Sequence, residues 1–277
     1  MSKAMQLKAR IKNMALKNHV PAQAVLQDYM LERLLERISL SPYKDMVILK
    51  GGMLIASMVG IDNRTTMDMD ATLRGYPLTE EAIQLALSEI CAIQLDDDVT
   101  FELDHTLPIR DDDEYGGFRA AIIARYDSIN TPLKIDITTG DRITPEAIRY
   151  PFRSNFEQKE IEIWAYNVET ILAEKVETIL RRSVLNTRPR DFYDVYIIMK
   201  TMPQAINYKL FASALVATSN KRMSSGLLEE KEKILQNIQN DPDMRRRWQQ
   251  YSRENFYANN IGYDEVIRVL HEIVDYS

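Results

Sequence analysis

Two kinds of hydrophobic spacing divide this chain and limit the folds that are open to it. In the first part, apolar residues alternate with polar ones over short runs such as Phe118–Tyr126 and Leu133–Ile137, which predicts β-strands with one buried face. From Val168 onward, apolar residues recur at the spacing typical of helices. We therefore predict an α/β domain with N-terminal helices over residues 1–168 and a helical domain over residues 169–277.

The finer pattern predicts the individual elements of the first domain. Helices are predicted at Pro21–Ser39, Met53–Val59 and Glu80–Ile93, and strands at Met46–Leu49, Thr66–Leu73, Val99–Leu103, Phe118–Tyr126, Leu133–Ile137 and Ile161–Ile163. The acidic, glycine-containing stretch Arg110–Gly117 is predicted to be an exposed loop.

Composition narrows the classes of protein that this chain can belong to. No stretch approaches the roughly 18 apolar residues that a membrane-spanning helix needs, so we expect no membrane partner. The net charge is −6, so a nucleic acid would have to bind through local basic patches. Cys91 is the single cysteine, which excludes an intramolecular disulfide, argues against a cysteine-based metal site and fits the cytoplasm.

The N-terminal stretch is basic, and its lysines and arginine all precede the first acidic residue, Asp28. We interpret this stretch as an ordinary basic helix. The alternative is an arm that contacts a polyanion or an acidic partner.

Two carboxylates, Asp68 and Asp70, lie two residues apart on a predicted strand. Side chains alternate across a strand, so both carboxylates should project from the same face. Two adjacent acids repel each other unless a cation lies between them, and oxygen ligands in this arrangement suit Mg²⁺. Taken alone, an Asp-x-Asp pair is more often a solvated strand face, so a metal site is predicted only if other features of the sequence support it.

Three features add to this pair. Lys50-Gly51-Gly52 follows a predicted strand, and glycines at such a junction allow backbone N–H groups to approach a phosphate. Asp136 lies within a predicted strand, where aspartate is disfavoured, so a third metal-binding or proton-accepting carboxylate is one explanation and an edge strand facing water is the other. Lys175 lies at the border of an apolar helix face, where it can reach a nucleotide or extend to solvent.

A cluster of charged residues follows that helix in the segment Arg188-Pro189-Arg190-Asp191-Phe192-Tyr193-Asp194. Asp191 and Asp194 are three residues apart and share a helix face. The arginines form a local basic patch in an acidic protein, which either binds phosphates or pairs with neighbouring acids.

The order of these motifs resembles the AbiEii/AbiGii-type nucleotidyltransferase toxins of the polymerase-β-like superfamily. The stretches that carry the resemblance are Leu49–Gly52, Arg64–Asp70, Lys134–Ile137, Ala173–Lys175 and Arg190–Asp194. The resemblance implies an α+β fold, with a nucleotidyltransferase-like mixed β-sheet flanked by helices and a mostly helical C-terminal domain. It also implies a bacterial toxin, of a toxin–antitoxin or phage-defence system, that transfers NMP from an NTP to RNA, namely the tRNA 3′ end. It leaves open whether the antitoxin binds the toxin directly.

The resemblance also assigns expected roles to residues. The metal, Mg²⁺ or Mn²⁺, is expected at Asp68, Asp70 and Asp136. Lys175 is expected to bind the nucleotide phosphates, and Asp191 to orient Lys175 or the base. The expected nucleotide contacts are Lys50, Gly51, Gly52, Arg64, Thr66 and Lys175. One departure is the Gly51-Gly52 pair, where many nucleotidyltransferases carry Gly-Ser, so the phosphate contact passes to the backbone and to Lys50 or Arg64.

Three other functions compete with this interpretation. Asp68–Thr72 matches the Asp-x-Asp-x-Thr motif of haloacid-dehalogenase-type phosphatases, but the residues before it do not form the buried apolar strand that such enzymes have. A nucleotidyltransferase that modifies a small molecule, of the antibiotic-modifying kind, is the second alternative. A non-catalytic interaction module of the same fold is the third.

Overall fold

The computed structural model describes residues 2–109 and 116–277. The predicted loop Arg110–Gly117 therefore lies mostly outside the described residues. The described chain contains the following elements in order: α1 (Lys3–Asn18), α2 (Ala22–Leu40), β1 (Val47–Lys50), α3 (Gly51–Val59), β2 (Asp68–Leu73), α4 (Glu80–Ala92), β3 (Val99–Ile109), β4 (Gly117–Tyr126), β5 (Ile129–Thr139), β6 (Ile148–Arg153), β7 (Glu160–Ala165), α5 (Val168–Arg182), α6 (Pro189–Thr201), α7 (Tyr208–Lys221), α8 (Lys231–Asn240), α9 (Pro242–Glu254) and α10 (Tyr263–Val274).

The chain divides into two compact units, each with its own internal packing. The sheet unit comprises Met1–Asp141 and Ile148–Ala165, and the helical unit comprises Arg142–Ala147 and Tyr166–Ser277. The short segment of 142–147 is held in the helical unit by Asn167, whose Nδ2 donates to the backbone oxygens of Thr144 and Glu146. Asn167 also caps α5, because its side chain accepts a hydrogen bond from the backbone N–H of Thr170.

The strands of the described residues form one mixed sheet of seven strands in the order β3-β4-β5-β2-β1-β7-β6. β2 is parallel to β5, and β1 is parallel to β7, while the other neighbours are antiparallel. The expected mixed sheet with flanking helices is confirmed.

β6 is a strand that the sequence pattern did not predict. It lies at the edge of the sheet, contains Pro151, and buries Phe152 but few of its neighbours. Proline is tolerated on edge strands because its missing N–H can face solvent. Ile148, Tyr150 and Phe152 do alternate with polar residues or proline, but the run is short and a proline within it weakens the signal for a strand.

The sheet has an apolar face and a polar face. Alternate residues of β4 and β5, such as Ile122 and Ile135, are fully buried, and the residues between them are at least partly exposed. α2 packs against β5 and β7, and the ring of Tyr29 on α2 meets Tyr126 of β4 edge-on. α2 therefore covers the apolar face, and the alternation leaves the opposite face to charged side chains.

No helix among residues 2–109 and 116–277 has the length and apolar character required to cross a bilayer. α1 is an amphipathic helix that packs on α2 through Ala4, Leu7, Ile11 and Ala15. The predicted basic helix at the N-terminus is therefore present, with its lysines on the outward face.

Buried charges connect α2 to the turn between β6 and β7. The Glu32 carboxylate is fully buried and accepts hydrogen bonds from Ser154 Oγ (2.5 Å) and Asn155 N (2.8 Å). Asp28, one helical turn earlier, accepts from Asn155 Nδ2 at 3.0 Å. Burial raises the pKa of Asp28 to about 6. Burial also raises the pKa of Glu32, and repulsion from Asp28 adds to this rise, which brings the pKa of Glu32 to about 8.

These two carboxyls should make the sheet unit less stable as the pH rises. Their ordinary pKa is near 4, so between about pH 4 and about pH 8 the folded chain binds more protons than the unfolded chain, and the free energy of unfolding falls with pH. In Glu32→Gln, the free energy of unfolding should fall less steeply above pH 6, because glutamine has no proton to lose. Its amide oxygen can still accept a hydrogen bond. Thermal melts from pH 5 to pH 9 measure this. Glu36→Gln, one turn along α2, is the control and should keep the wild-type slope. The same slope in Glu32→Gln and wild type would contradict the assignment.

Candidate active site

The polar face of the sheet brings together the carboxylates that the sequence singled out. Asp68 and Asp70 lie on β2, and Asp70 is in register with Asp136 on the parallel neighbour β5. Met69 between them is fully buried, so the two acids project from the opposite, polar face. Asp68 is in register with Lys134. The three carboxylates and one lysine thus share one face of two adjacent strands.

The surroundings of Asp68 raise its pKa. Burial raises it, repulsion from Asp70 and Asp136 adds to the rise, and the charges of Lys134 and Arg119 oppose it. Neither Asp68 nor Asp70 forms an ion pair with the residues that the structure describes. Their negative charge is therefore compensated at a distance, and a cation bound between them would stabilise both.

Asp136 is already paired. Arg119 on β4, its register partner, donates from Nε to Oδ1 at 2.7 Å and from Nη2 to Oδ2 at 2.6 Å. This bidentate pair is the strong form of an arginine–carboxylate contact, and it raises the pKa of Arg119. No sequence pattern indicated Arg119, because the pairing of β4 with β5 is what puts the guanidinium beside Asp136.

The two glycines at the start of α3 leave space for other site residues. Gly51 has a φ of +68°, and a Cβ there would lie 2.0 Å from Asp70 Oδ2. A Cβ on Gly52 would lie 2.9 Å from Thr66 Oγ1 and 3.3 Å from an Arg64 guanidinium nitrogen. The departure from Gly-Ser thus has a steric reason, since Thr66 and Arg64 occupy the space that a serine side chain would need.

The remaining residues predicted to contact the nucleotide have different hydrogen-bond and ion-pair partners. The Lys50 ammonium is 14% exposed, forms an ion pair with Asp141, and donates to Thr138 Oγ1 at 2.8 Å. Thr66 Oγ1 donates to the backbone oxygen of Asp68 at 3.1 Å. Arg64 is buried and donates to the backbone oxygen of Thr65. Lys50 is therefore already neutralised by a carboxylate that the sequence pattern did not single out.

The donor set fits a hard divalent cation held by two carboxylates. Among the described residues, no three acidic, histidine or cysteine side chains are arranged as a ready-made cage. Mg²⁺ does not need one, since it binds one or two carboxylates and takes its other ligands from water and substrate phosphates. Asp68 and Asp70 supply such a pair, and Asp136 can join them after it separates from Arg119.

The helical unit holds the predicted lysine in a charged triad. Lys175 Nζ on α5 lies 2.7 Å from Asp191 Oδ1 and 2.9 Å from Asp194 Oδ2, both on α6. The two aspartates are almost completely buried, whereas 19% of the lysine side chain is exposed. Burial lowers the pKa of Lys175, but the attraction of Asp191 and Asp194 is larger, so the pKa is raised. Lys175 stays protonated, and both aspartates orient it.

The two glycines should differ in their tolerance of a side chain. Gly51→Ala should destabilise the sheet unit more than Gly52→Ala, because it combines a positive φ with a collision at Asp70, whereas Gly52→Ala meets Thr66, which can shift. We expect roughly 1–3 kcal/mol for Gly52→Ala, as for other overpacked sites. Chemical denaturation measures both. Gly75→Ala is the control for a positive φ alone, since a Cβ there has nothing within 4 Å. Equal losses for Gly51→Ala and Gly75→Ala would show that Asp70 does not restrict the space.

Two solved structures have a similar fold to this chain. The structure of a candidate nucleotidyltransferase from H. pylori aligns with a TM-score of 0.52 and 15% sequence identity over 92% of this chain and 95% of that chain. MenT4, a nucleotidyltransferase toxin from Mycobacterium tuberculosis H37Rv, aligns with a TM-score of 0.54 and 15% identity over 96% and 98% of the two chains. At this identity the likeness establishes the fold. A comparison with curated protein sequences finds no match.

The sequence itself matches a family model over most of its length. The model describes the nucleotidyl transferase AbiEii toxin of type IV toxin–antitoxin systems, and it covers residues 33–269. This range includes the glycine pair, the carboxylates of the sheet and the lysine triad of the helical unit. The chain therefore belongs to the AbiEii family of nucleotidyltransferase toxins.

Proposed function

We propose that this chain transfers a nucleoside monophosphate from an NTP to RNA, at the 3′ end of tRNA, with Mg²⁺ or Mn²⁺ bound at the carboxylate face. The observation that carries the metal part of the proposal is the pair Asp68 and Asp70. Both are half-buried, share one strand face, and have no ion-pair partner among the described residues. Such a pair gains most from a divalent cation.

Within this proposal, Asp68 and Asp70 hold the metal and Asp136 joins them. When bound, the metal would neutralise triphosphate charge and lower the pKa of the attacking hydroxyl. The backbone N–H groups at Gly51 and Gly52 are proposed to contact the phosphates. Positioning and charge neutralisation are the main contributions that a protein makes to this class of reaction.

The nearby polar side chains complete the proposed phosphate site. The guanidinium of Arg64 and the hydroxyl of Thr66 border the space beside Gly52, which supports a role in binding the phosphates. Lys50 is proposed to contact a phosphate after it separates from Asp141.

In the helical unit, Lys175 is proposed to contact the nucleotide phosphates while Asp191 and Asp194 keep it charged and oriented. A positioned cation of this kind stabilises the negative charge that develops during transfer. Removing Lys175 would leave two buried carboxylates without their partner, which costs about 3–5 kcal/mol. A loss of activity in Lys175→Ala would therefore combine a stability effect with a functional one, and Lys175→Arg is the better variant.

The biological setting follows in part from the family. A type IV toxin has an antitoxin, and a nucleotidyltransferase has an NTP substrate. We further propose that the acceptor is RNA in the cytoplasm, and that the arrest of translation by modified tRNA ends is the toxic effect. Phage defence is a second setting in which such an arrest would be useful to the host.

Transfer should depend on Asp70. We expect Asp70→Asn to lower NMP transfer at least about 100-fold, as removal of a key electrostatic group does, while the melting temperature stays the same or rises because repulsion with Asp68 is relieved. The assay incubates the protein with each α-labelled NTP, Mg²⁺ and total RNA, and reads label on a gel. Asp104→Asn, at an exposed position of β3, should remain active. Full activity of Asp70→Asn would refute the assignment, and wild-type label that never enters RNA would refute the acceptor.

Arg119 should compete with the metal for Asp136. We expect Arg119→Gln to tighten the binding of Mn²⁺ alone by several-fold, where tenfold corresponds to about 1.4 kcal/mol, because Asp136 loses its bidentate partner. Calorimetry without NTP measures this.

The controls for this experiment come from the same strand and the same pair. Arg125 lies six residues along β4, on the same side, and pairs with Glu102 instead, so Arg125→Gln should bind Mn²⁺ as the wild type does. Adding Asp136→Asn to Arg119→Gln should cancel the gain. Equal affinity in Arg119→Gln and wild type would contradict the competition.

A further inference from the structure

The connection between α5 and α6 carries an unusual local charge for an acidic protein. Residues 178–190 contain four arginines and no aspartate or glutamate, whereas the whole chain has a net charge of −6. A run of this kind is typical of a solvated surface when its charges are paired, and of an anion-binding surface when they are not. The ion pairs of the helical unit distinguish these two cases.

Several arginines of the helical unit outside this run, and Arg181 within it, are engaged within the protein. Arg181 pairs with Glu177, Arg222 with Glu174 and Glu177, Arg245 with Asp264, and Arg246 with Asp243. Arg182, Arg188 and Arg190, in contrast, make no ion pair with any described residue. The triplet Arg245–Arg247, which is the more prominent basic run in the sequence, is thus neutralised or bonded to backbone.

These three arginines are close to the lysine triad along the chain. Arg182 follows Lys175 by seven residues, so the two share one face of α5 at 100° per residue. Arg188 and Arg190 immediately precede Asp191, whose carboxylate binds Lys175. We name Arg182, Arg188 and Arg190 the arginine corner. It places three cationic side chains along the end of α5 and the start of α6.

The backbone of the corner is held in place. Arg247 Nη1 on α9 donates to the carbonyl oxygens of Val184 and Asn186 at 3.0 and 3.1 Å. The Asn186 side chain accepts from the backbone N–H of Arg188 at 2.7 Å. The structure therefore fixes the path of the turn and leaves Leu185 at its tip 80% exposed.

We propose that the arginine corner binds the phosphodiester backbone of the RNA acceptor. The inference rests on the proposed function, and it names the surface on which the acceptor lies. Three arginines at one helix connection, with no ion-pair partner among residues 2–109 and 116–277, suit a chain of phosphates, because arginine binds phosphate oxygens bidentately. The exposed Leu185 adds an apolar contact for a sugar or base. Charge complementarity favours RNA, since the rest of the protein surface carries an excess of acids.

The test measures RNA binding without turnover. The probe is fluorescently labelled bulk tRNA, read by anisotropy with full-length protein over a range of salt concentrations. Arg188→Gln with Arg190→Gln should weaken binding at least about tenfold at low salt. The slope of log K against log salt should become shallower by roughly 1.4–1.8, which is about 0.7–0.9 for each lost phosphate contact.

A matched double variant separates specific contacts from general charge. Arg245→Gln with Arg246→Gln removes the same formal charge from the same unit, at residues that are already paired, and should change the slope by less than half as much. The corner variant should melt as the wild type does, since it loses no internal ion pair. The proposal would be overturned if the corner variant kept the wild-type slope of log K against log salt. It would also be overturned if the control variant lost as much tRNA affinity as the corner variant.

Failure of this inference and failure of the proposed function have different signatures. Loss of tRNA binding in the corner variant, in a protein that transfers no nucleotide, would support the surface and refute the transfer to RNA. Normal tRNA binding by the corner variant, in a protein that does label RNA, would refute the surface alone. Stabilisation by NTP with Mg²⁺, read by thermal shift, should match the wild type, because the corner is not assigned to the nucleotide.

Discussion

The placement of β2 between β1 and β5 is the constraint on which the candidate site depends. Asp70 is in register with Lys50 on one side and with Asp136 on the other. Met69 is anchored in the core, so strand alternation sends Asp68 and Asp70 to the polar face. A slip of one residue would exchange the two faces and bury both carboxylates, which makes the register strongly specified.

Most charged side chains of the candidate site are paired with an opposite charge within the protein. Asp136 is paired with Arg119, Lys50 with Asp141, and Lys175 with two aspartates. Each pair holds a charged side chain in a fixed orientation. The Asp136–Arg119 pair would have to open before Asp136 could join a metal. The aspartates of β2 differ, because in the part of the chain that the structure describes no positive charge lies within ion-pair distance of them. This uneven distribution of partners is what favours a cation on β2.

The sequence predicted much of the fold because most elements bury one face and therefore show a period. The strand at Thr66–Leu73 and the helix at Glu80–Ile93 were predicted to within two residues of their observed ends. β6 was missed because its alternating run is short and contains Pro151, and proline argues against a strand. Arg119 was missed for another reason, since its partner Asp136 is 17 residues away and depends on the pairing of two strands. The arginine-rich run of α9 was prominent in sequence, yet its side chains are engaged within the protein.

The sequence by itself determined that the chain has a part with strands and a helical part, that two aspartates of one strand share a face, and that the motifs occur in the order typical of a nucleotidyltransferase toxin. These properties depend on local periodicity and on residue identity, which a linear chain already contains. The tertiary structure alone decided which charges are paired, why Gly52 must lack a side chain, and that Asp191 and Asp194 both hold Lys175. Those outcomes depend on distances between residues far apart in the chain, which are set when strands pair and helices pack.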